Sequence, residues 1–334
     1  MQGIKILKSP RLKNPHLVVA WPGMGEVAFK AATYLIESLK AQEFASIEPQ
    51  DFFYLTGSVV EDGILALPEL PYGKFYYWKN PALKGNKKTD SGDLVIFTSS
   101  AQPDLARAEA YCEKIIDFIK TLKVKKIIGF AAMPQPIEHT QESQAWFAAT
   151  STRINDALKK HDLRLLSVGQ ISGLNGLFLG IAKKEGIEGL CLLGEIPLYT
   201  IQIENPKGAY AVLEAFGRIF GIQLDLSGLL KQVHSMDEEI NKLLEYLHLS
   251  PHSSGPISEE EIEKIKKSLS QFTKLPVSVK EKIEKMFEAT KVDIGKAGEL
   301  KAELDKWNAY KEYEDRFLDL FKRLKDSFHK MVCA

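Results

Sequence analysis

From Leu17 to about Ser250, short apolar runs alternate with stretches of helical periodicity, and that alternation leaves few folds open. Runs that read as strands are Leu17 to Trp21, Asp93 to Ser99, Lys126 to Ala131, Arg164 to Ser167 and Gly189 to Gly194. Several are apolar throughout, as strands covered on both faces are. Between them, Val27 to Lys40 puts Val27, Ala31, Tyr34, Leu35 and Leu39 on one helical face. Leu105 to Leu122, Gly176 to Glu185 and Lys207 to Phe220 read as further helices. The expected fold is therefore α/β, a sheet flanked by helices. Phe53 to Tyr77 is different: it is rich in aromatics, Gly and Pro, with turn signals at Asp62-Gly63 and Tyr72-Gly73. It reads as antiparallel strands or an ordered insertion, which makes the sheet mixed.

After Leu249 the stretch SPHSSGPIS has the composition of a linker. The expected division is an α/β domain over 1–250, a linker over 251–256 and a helical extension over 257–334. In the extension, Ile262, Ile265, Leu269 and Phe272 make one apolar stripe, and Ile283, Met286 and Phe287 another. A last helix carries Leu300, Leu304, Trp307, Tyr310, Phe317, Leu320, Phe321, Leu324 and Phe328. These stripes are too rich for a solvated helix, so they are expected to pack within the chain or between subunits. Lys and Glu mix on the polar faces, which reads as a solvated surface and not a nucleic-acid interface.

The bulk properties narrow the function. Lys+Arg and Asp+Glu are 44 each in 334 residues, so no net field draws the chain to nucleic acid or acidic lipid. Cys112, Cys191 and Cys333 are far apart and lack metal-ligand spacing, which fits buried free thiols in a reducing compartment. No segment has the length and apolarity of a membrane span or a signal sequence, so a cytoplasmic protein is expected. There is no G-x-S-x-G elbow, no P-loop and no HExxH, and no metal or cofactor is expected.

The stretch HLVVAWPGMGEVAFKAATYL runs a strand through Pro-Gly-x-Gly into a helix, and Gly23, Gly25 and Ala28 match the dinucleotide fingerprint G-x-G-x-x-G/A. Pro22 and Met24 fit that reading poorly, and Glu48 is only a loose candidate for the ribose-binding acid. The alternative is a strand-to-helix corner in which the glycines relieve steric clash and Glu26 complements the helix dipole. The corner is the preferred reading.

Other side chains at strand ends are candidates for a pocket. In MPQPIEHTQES, His139 has carboxylate neighbours in a loop after a strand, where α/β sheets place ligands, although a surface loop with a partly exposed His is the preferred reading. Asn175 stands in SGLNGLF and is expected to cap the helix that follows. Glu195 follows an apolar strand at the edge that carries Gly23 and Gln102, where a carboxylate needs a partner. The candidate strand-end pocket is thus Trp21, Gly23, Gly25, Gln102, His139, Asn175 and Glu195, with no catalytic residue assigned.

The stretch VVAWPGMGEVAFKAATYL also resembles the N-terminal signature of the PAC2 (proteasome assembly chaperone 2) family. FTSSAQP (Phe97 to Pro103), GQISGLNGLFLGIAKKEGIEGLCLLGEIPLYT (Gly169 to Thr200) and NPKGAYAVLEAFGRIFGIQLDLSGL (Asn205 to Leu229) follow in the family's order. The resemblance covers about residues 15–250 and implies a phosphorylase/hydrolase-like mixed sheet between helices. It also implies a binding protein, an assembly chaperone or scaffold that acts as a homo-oligomer, a trimer first, without covalent chemistry. A protein client is expected in place of nucleic acid or membrane. The alternative is an enzyme with a nucleoside-like substrate or an ATP-dependent ligation at the strand-end pocket. The chain has Gly23 and Met24 where members often have Asp and Ala, Ser99 and Ser100 where they often have Gly, and it ends Val332-Cys333-Ala334 where ring-docking members carry hydrophobic-Tyr-x. Docking through that tail motif is therefore not expected.

Overall fold

A computed structural model describes residues 3–84, 92–249, 277–306 and 309–332. Its strands are β1 (Ile4–Ile6), β2 (His16–Ala20), β3 (Gln42–Ile47), β4 (Val59–Glu61), β5 (Ile64–Ala66), β6 (Gly73–Trp78), β7 (Leu94–Ser99), β8 (Lys126–Gln135), β9 (Ala145–Ala149), β10 (Arg164–Leu165) and β11 (Gly189–Pro197). Its helices are α1 (Val27–Leu39), α2 (Ala108–Thr121), α3 (Thr152–Leu158), α4 (Leu174–Lys184), α5 (Pro206–Phe220), α6 (Ser227–Leu249), α7 (Val277–Val292), α8 (Ala297–Lys306) and α9 (Tyr310–Val332). All strands but β4 and β5 form one mixed sheet in the order β1-β3-β6-β7-β2-β8-β11-β9-β10. The central β7, β2, β8 and β11 are parallel, while β6 and β9 pair antiparallel on either side.

Strand side chains alternate between faces, so each central strand feeds two cores. Leu17, Val19 and Trp21 enter one core with Phe97, Tyr111, Ile115 and Phe178, beneath α2 and α4. Val18 and Ala20 enter the other with Ala28, Leu35, Phe130, Val212 and Phe216, beneath α1 and α5. Fully burying an aromatic or a large aliphatic side chain contributes about 1.5–3 kcal/mol, and these strands are buried at nearly every position. Helix α5 begins at an Asn-Pro signal: the Asn205 side chain accepts from the Gly208 amide at 2.9 Å and Pro206 occupies the first helical turn.

The structure also departs from the sequence expectations. Strands β8 and β11 run to Gln135 and Pro197, so Glu195 lies within a strand and not after one. Gly73 starts β6 and does not turn the chain, whereas Asp62 and Gly63 do turn the β4–β5 hairpin, with φ of +50° and +78°. β1, β3 and β9 were not expected. β3 carries Glu48 just past its end and is separated from β2 by β6 and β7, too far to serve a dinucleotide at the β2 turn. The last helix is two, since α8 ends at Lys306 and α9 starts at Tyr310.

Contacts divide the chain into two units, Met1–Gly57 with Glu69–Lys242, and Ser58–Pro68 with Leu243–Ala334. The second unit has its own apolar cluster of Ile283, Phe287, Leu300, Leu304, Phe317 and Leu320, which answers the stripes of the extension. Within it, Lys285 of α7 pairs with Glu61 of the hairpin at 3.2 Å. The expected linker over 251–256 and the stripe from Ile262 to Phe272 lie outside the described residues. No helix among the described residues is long and apolar enough to cross a membrane.

Candidate functional site

The Pro-Gly-x-Gly corner is stitched to the approach of α5. Gly25 has φ of +58°; its amide donates to the Ile201 carbonyl at 2.8 Å, and its carbonyl accepts from the Asn205 amide at 2.7 Å. The Glu26 amide turns back to the Gly23 carbonyl at 2.9 Å. Two of the amides that a dinucleotide phosphate would need are therefore engaged by protein carbonyls.

Asn175 is not a cap. It lies inside α4, which Gly173 precedes, and its side chain spans 154 residues of sequence to bracket Trp21. Its Oδ1 accepts from the Trp21 amide at 3.0 Å and its Nδ2 donates to the Trp21 carbonyl at 3.1 Å, so the backbone just past the end of β2 is matched as by a neighbouring strand. Gln102 acts one residue further on: Nε2 donates to the Pro22 carbonyl at 2.7 Å and Oε1 accepts from the Leu174 amide at 3.1 Å. The two amides tie the end of β2 to the start of α4. Trp21 is fully buried between Phe97 and Phe178 and exposes nothing to a ligand.

Glu195 has the partner that its position demands. Buried on β11, it accepts from the Trp146 indole at 2.7 Å, the Gln144 amide at 3.0 Å and the Arg164 guanidinium at 3.4 Å. Arg164 also lies over the Trp146 ring and lines a polar groove of about 320 Å³ with Glu214 and Arg218. Donors on both carboxylate oxygens hold Glu195 as an anchor of β9 and β10.

His139 is buried, contrary to the partly exposed position expected of it. Its backbone amide donates to the Tyr199 hydroxyl at 2.7 Å, and its Nδ1 lies 3.0 Å from that same hydroxyl. Its Nε2 lies 2.8 Å from Asn241 Oδ1 on α6, and its carbonyl accepts from Lys207. Asn241 presents an oxygen to Nε2, and the Tyr199 hydroxyl, shared with Nδ1, also donates to Glu138 Oε2 at 3.4 Å. Burial, with the Glu138 and Asp237 carboxylates nearby, raises the Tyr199 phenol above its ordinary value, which keeps that proton in place. Lys207 also pairs with Asp237 of α6 at 2.7 Å.

The structure thus brings Trp21, Gln102 and Asn175 together, with Gly23 beside Asn175, and places Gly25, Glu195 and His139 in separate networks. Sequence reasoning missed Tyr199, Lys207, Asp237 and Asn241. A signal for the last two exists: they are four residues apart beside the apolar stripe Leu229, Val233, Met236 and Ile240. Among the described residues no group of three or more His, Cys, Asp or Glu is gathered to hold a metal.

The carboxyl edge of the sheet exposes several large apolar side chains among polar ones such as Gln102, Asp104 and Glu138. Met24 follows β2, Leu105 follows β7, and Leu198 and Tyr199 follow β11, with exposures of 44%, 91%, 52% and 50%. Tyr72, at the start of antiparallel β6, adds to that edge.

Comparison with known proteins places this geometry. Residues 17–244 match the PAC2 family. An uncharacterized Methanocaldococcus jannaschii protein, MJ1210, is 29% identical over 260 residues, covering 75% of this chain and 92% of its own. The crystal structure of Pyrococcus furiosus PbaB, an archaeal proteasome activator, superposes with a TM-score of 0.60 at 27% identity, covering 72% of this chain and 97% of PbaB. A proteasome-assembly chaperone homologue of Mycobacterium tuberculosis shares the fold, with a TM-score of 0.56 at 18% identity over 74% of this chain and 99% of its own.

Proposed function

The chain belongs to the PAC2 family, and on that premise we propose that it is a chaperone-like protein-binding factor that acts as a homo-oligomer and performs no covalent chemistry. The observation that carries the reading is the carboxyl edge, where Met24, Leu105, Leu198 and Tyr199 are exposed on loops from parallel strands. Exposed apolar groups gathered on one edge favour a protein surface as partner. His139 and Glu195 each tie separate elements of the fold together, which accounts for both as structural groups and supports binding over catalysis. PbaB, the similar archaeal proteasome activator, makes the proteasome core the first partner to try.

The test is native mass spectrometry of the full chain, isolated from its host with bound material intact, then mixed with purified archaeal 20S proteasome. The expected result is a homo-oligomer, a trimer first, carrying a second protein or binding the added core. A chain that retains only a small molecule and turns it over would overturn the proposal in favour of the enzyme alternative.

A further inference from the structure

Helix α6 touches the loop after β8 and the start of α5 at two polar points. Asn241 Oδ1 holds His139 Nε2 at 2.8 Å, and Asp237 holds Lys207, whose ammonium also reaches the carbonyls of His139 and Gln141. These two α6 residues are one helical turn apart, and Leu229, Val233, Met236 and Ile240 seat the same helix in the core. His139 passes the constraint on, because its amide and Nδ1 both fix the Tyr199 hydroxyl. Tyr199 is itself half exposed at the apolar edge beside Leu198. The chain leaves the first unit through this helix.

We propose that α6 is a latch: through Asn241–His139–Tyr199 and Asp237–Lys207 it sets the conformation of residues 138–141 and 198–200, and thereby the readiness of the apolar edge for its partner. The proposal rests on the protein-binding reading for its consequence. A partner that needs the ordered edge meets an affinity reduced by whatever fraction of molecules has the latch open. Neither polar contact is required to bury α6, whose apolar stripe does that, so the latch can open without the helix unfolding.

Hydrogen exchange of the full chain, followed by mass spectrometry with no partner present, tests the coupling. Asn241 is exposed, so Asn241→Ala removes one acceptor without opening the core. Exchange in peptides covering 136–144 and 196–203 is expected to rise about ten-fold, the factor for losing one hydrogen bond to a buried group. Glu238→Ala, on the exposed side of α6, leaves those peptides unchanged. Tyr199→Phe supplies the reciprocal test, because it keeps the ring and loosens 227–242 from the other end. Faster exchange confined to α6 in Asn241→Ala, or no effect on α6 in Tyr199→Phe, overturns the latch. Titration of the same variants with archaeal 20S proteasome reads the consequence separately. If the wild-type chain does not bind, the function reading fails while the exchange result still decides the latch. If it binds and both latch variants bind equally well, the regulatory role is overturned.

Discussion

At Gly25 a side chain has nowhere to go. The backbone is in the left-handed region, and an added Cβ would come within 3.1 Å of Ile196 Cδ1 and 3.2 Å of Asn205 Cβ. Gly23, two residues earlier, is extended at φ −170°, and a Cβ there meets only Asn175 Nδ2 at 3.4 Å. The pair therefore separates by mutation. Gly25→Ala is expected to lower unfolding free energy by about 2 kcal/mol, from the left-handed penalty plus overpacking, while Gly23→Ala stays within about 0.5 kcal/mol. Urea denaturation of both variants checks this; equal losses would mean that the turn is not held by the α5 approach. Asn175 illustrates the same locality of cause. Its amide supplies the one donor and one acceptor that the Trp21 backbone lacks, a match no apolar side chain provides.

Among the elements, α5 packs directly on the backbone of β11. A Cβ on Gly194 would lie 2.0 Å from the Gly208 carbonyl oxygen, so helix and strand meet backbone to backbone. That approach lets Ala209, Val212 and Phe216 reach Phe130 and Leu192 in the second core. Gly194→Ala is expected to cost about 3 kcal/mol or more, because backbone must move and no flexible side chain can yield. A thermal midpoint unchanged from wild type would refute it. The β4–β5 hairpin is the opposite case. Its turn is set by Asp62-Gly63, yet Val60, Ile64 and Leu65 remain exposed, and two strands alone are marginal in water.

Over the whole molecule the two cores leave a titration signature. Burial raises the thiols of Cys112 and Cys191 from 9.0 to about 12. The native chain therefore keeps two protons that the unfolded chain releases near pH 9. The associated stability is fully present below pH 9 and is lost as pH rises toward 12. Unfolding free energy is expected to fall by about 2–3 kcal/mol between pH 8 and pH 10 through the two thiols. Urea titrations at the two pH values measure it, and replacing both cysteines by valine should remove most of the dependence, leaving the smaller part that the raised phenols of Tyr76 and Tyr111 contribute as pH nears 10. A slope unchanged in the double variant would refute the assignment to the thiols.

The sequence by itself determined the α/β architecture, the strand-to-helix corner at Gly23–Gly25 and helix α5, read from Lys207 and found from Pro206. Each of these is written in neighbouring residues: apolar periodicity, turn chemistry or a capping side chain acting over a few positions. Edge strand β1 was harder to read, because it is only three residues long and carries no periodicity. The tertiary structure alone decided what the polar candidates do. Asn175 resembles a cap until Trp21 is found 154 residues away, and His139 resembles a loop residue until Tyr199 and α6 cover it. A buried polar atom takes whichever partner the packed elements bring within about 3 Å. That choice is made by the meeting of distant segments, which local pattern does not encode.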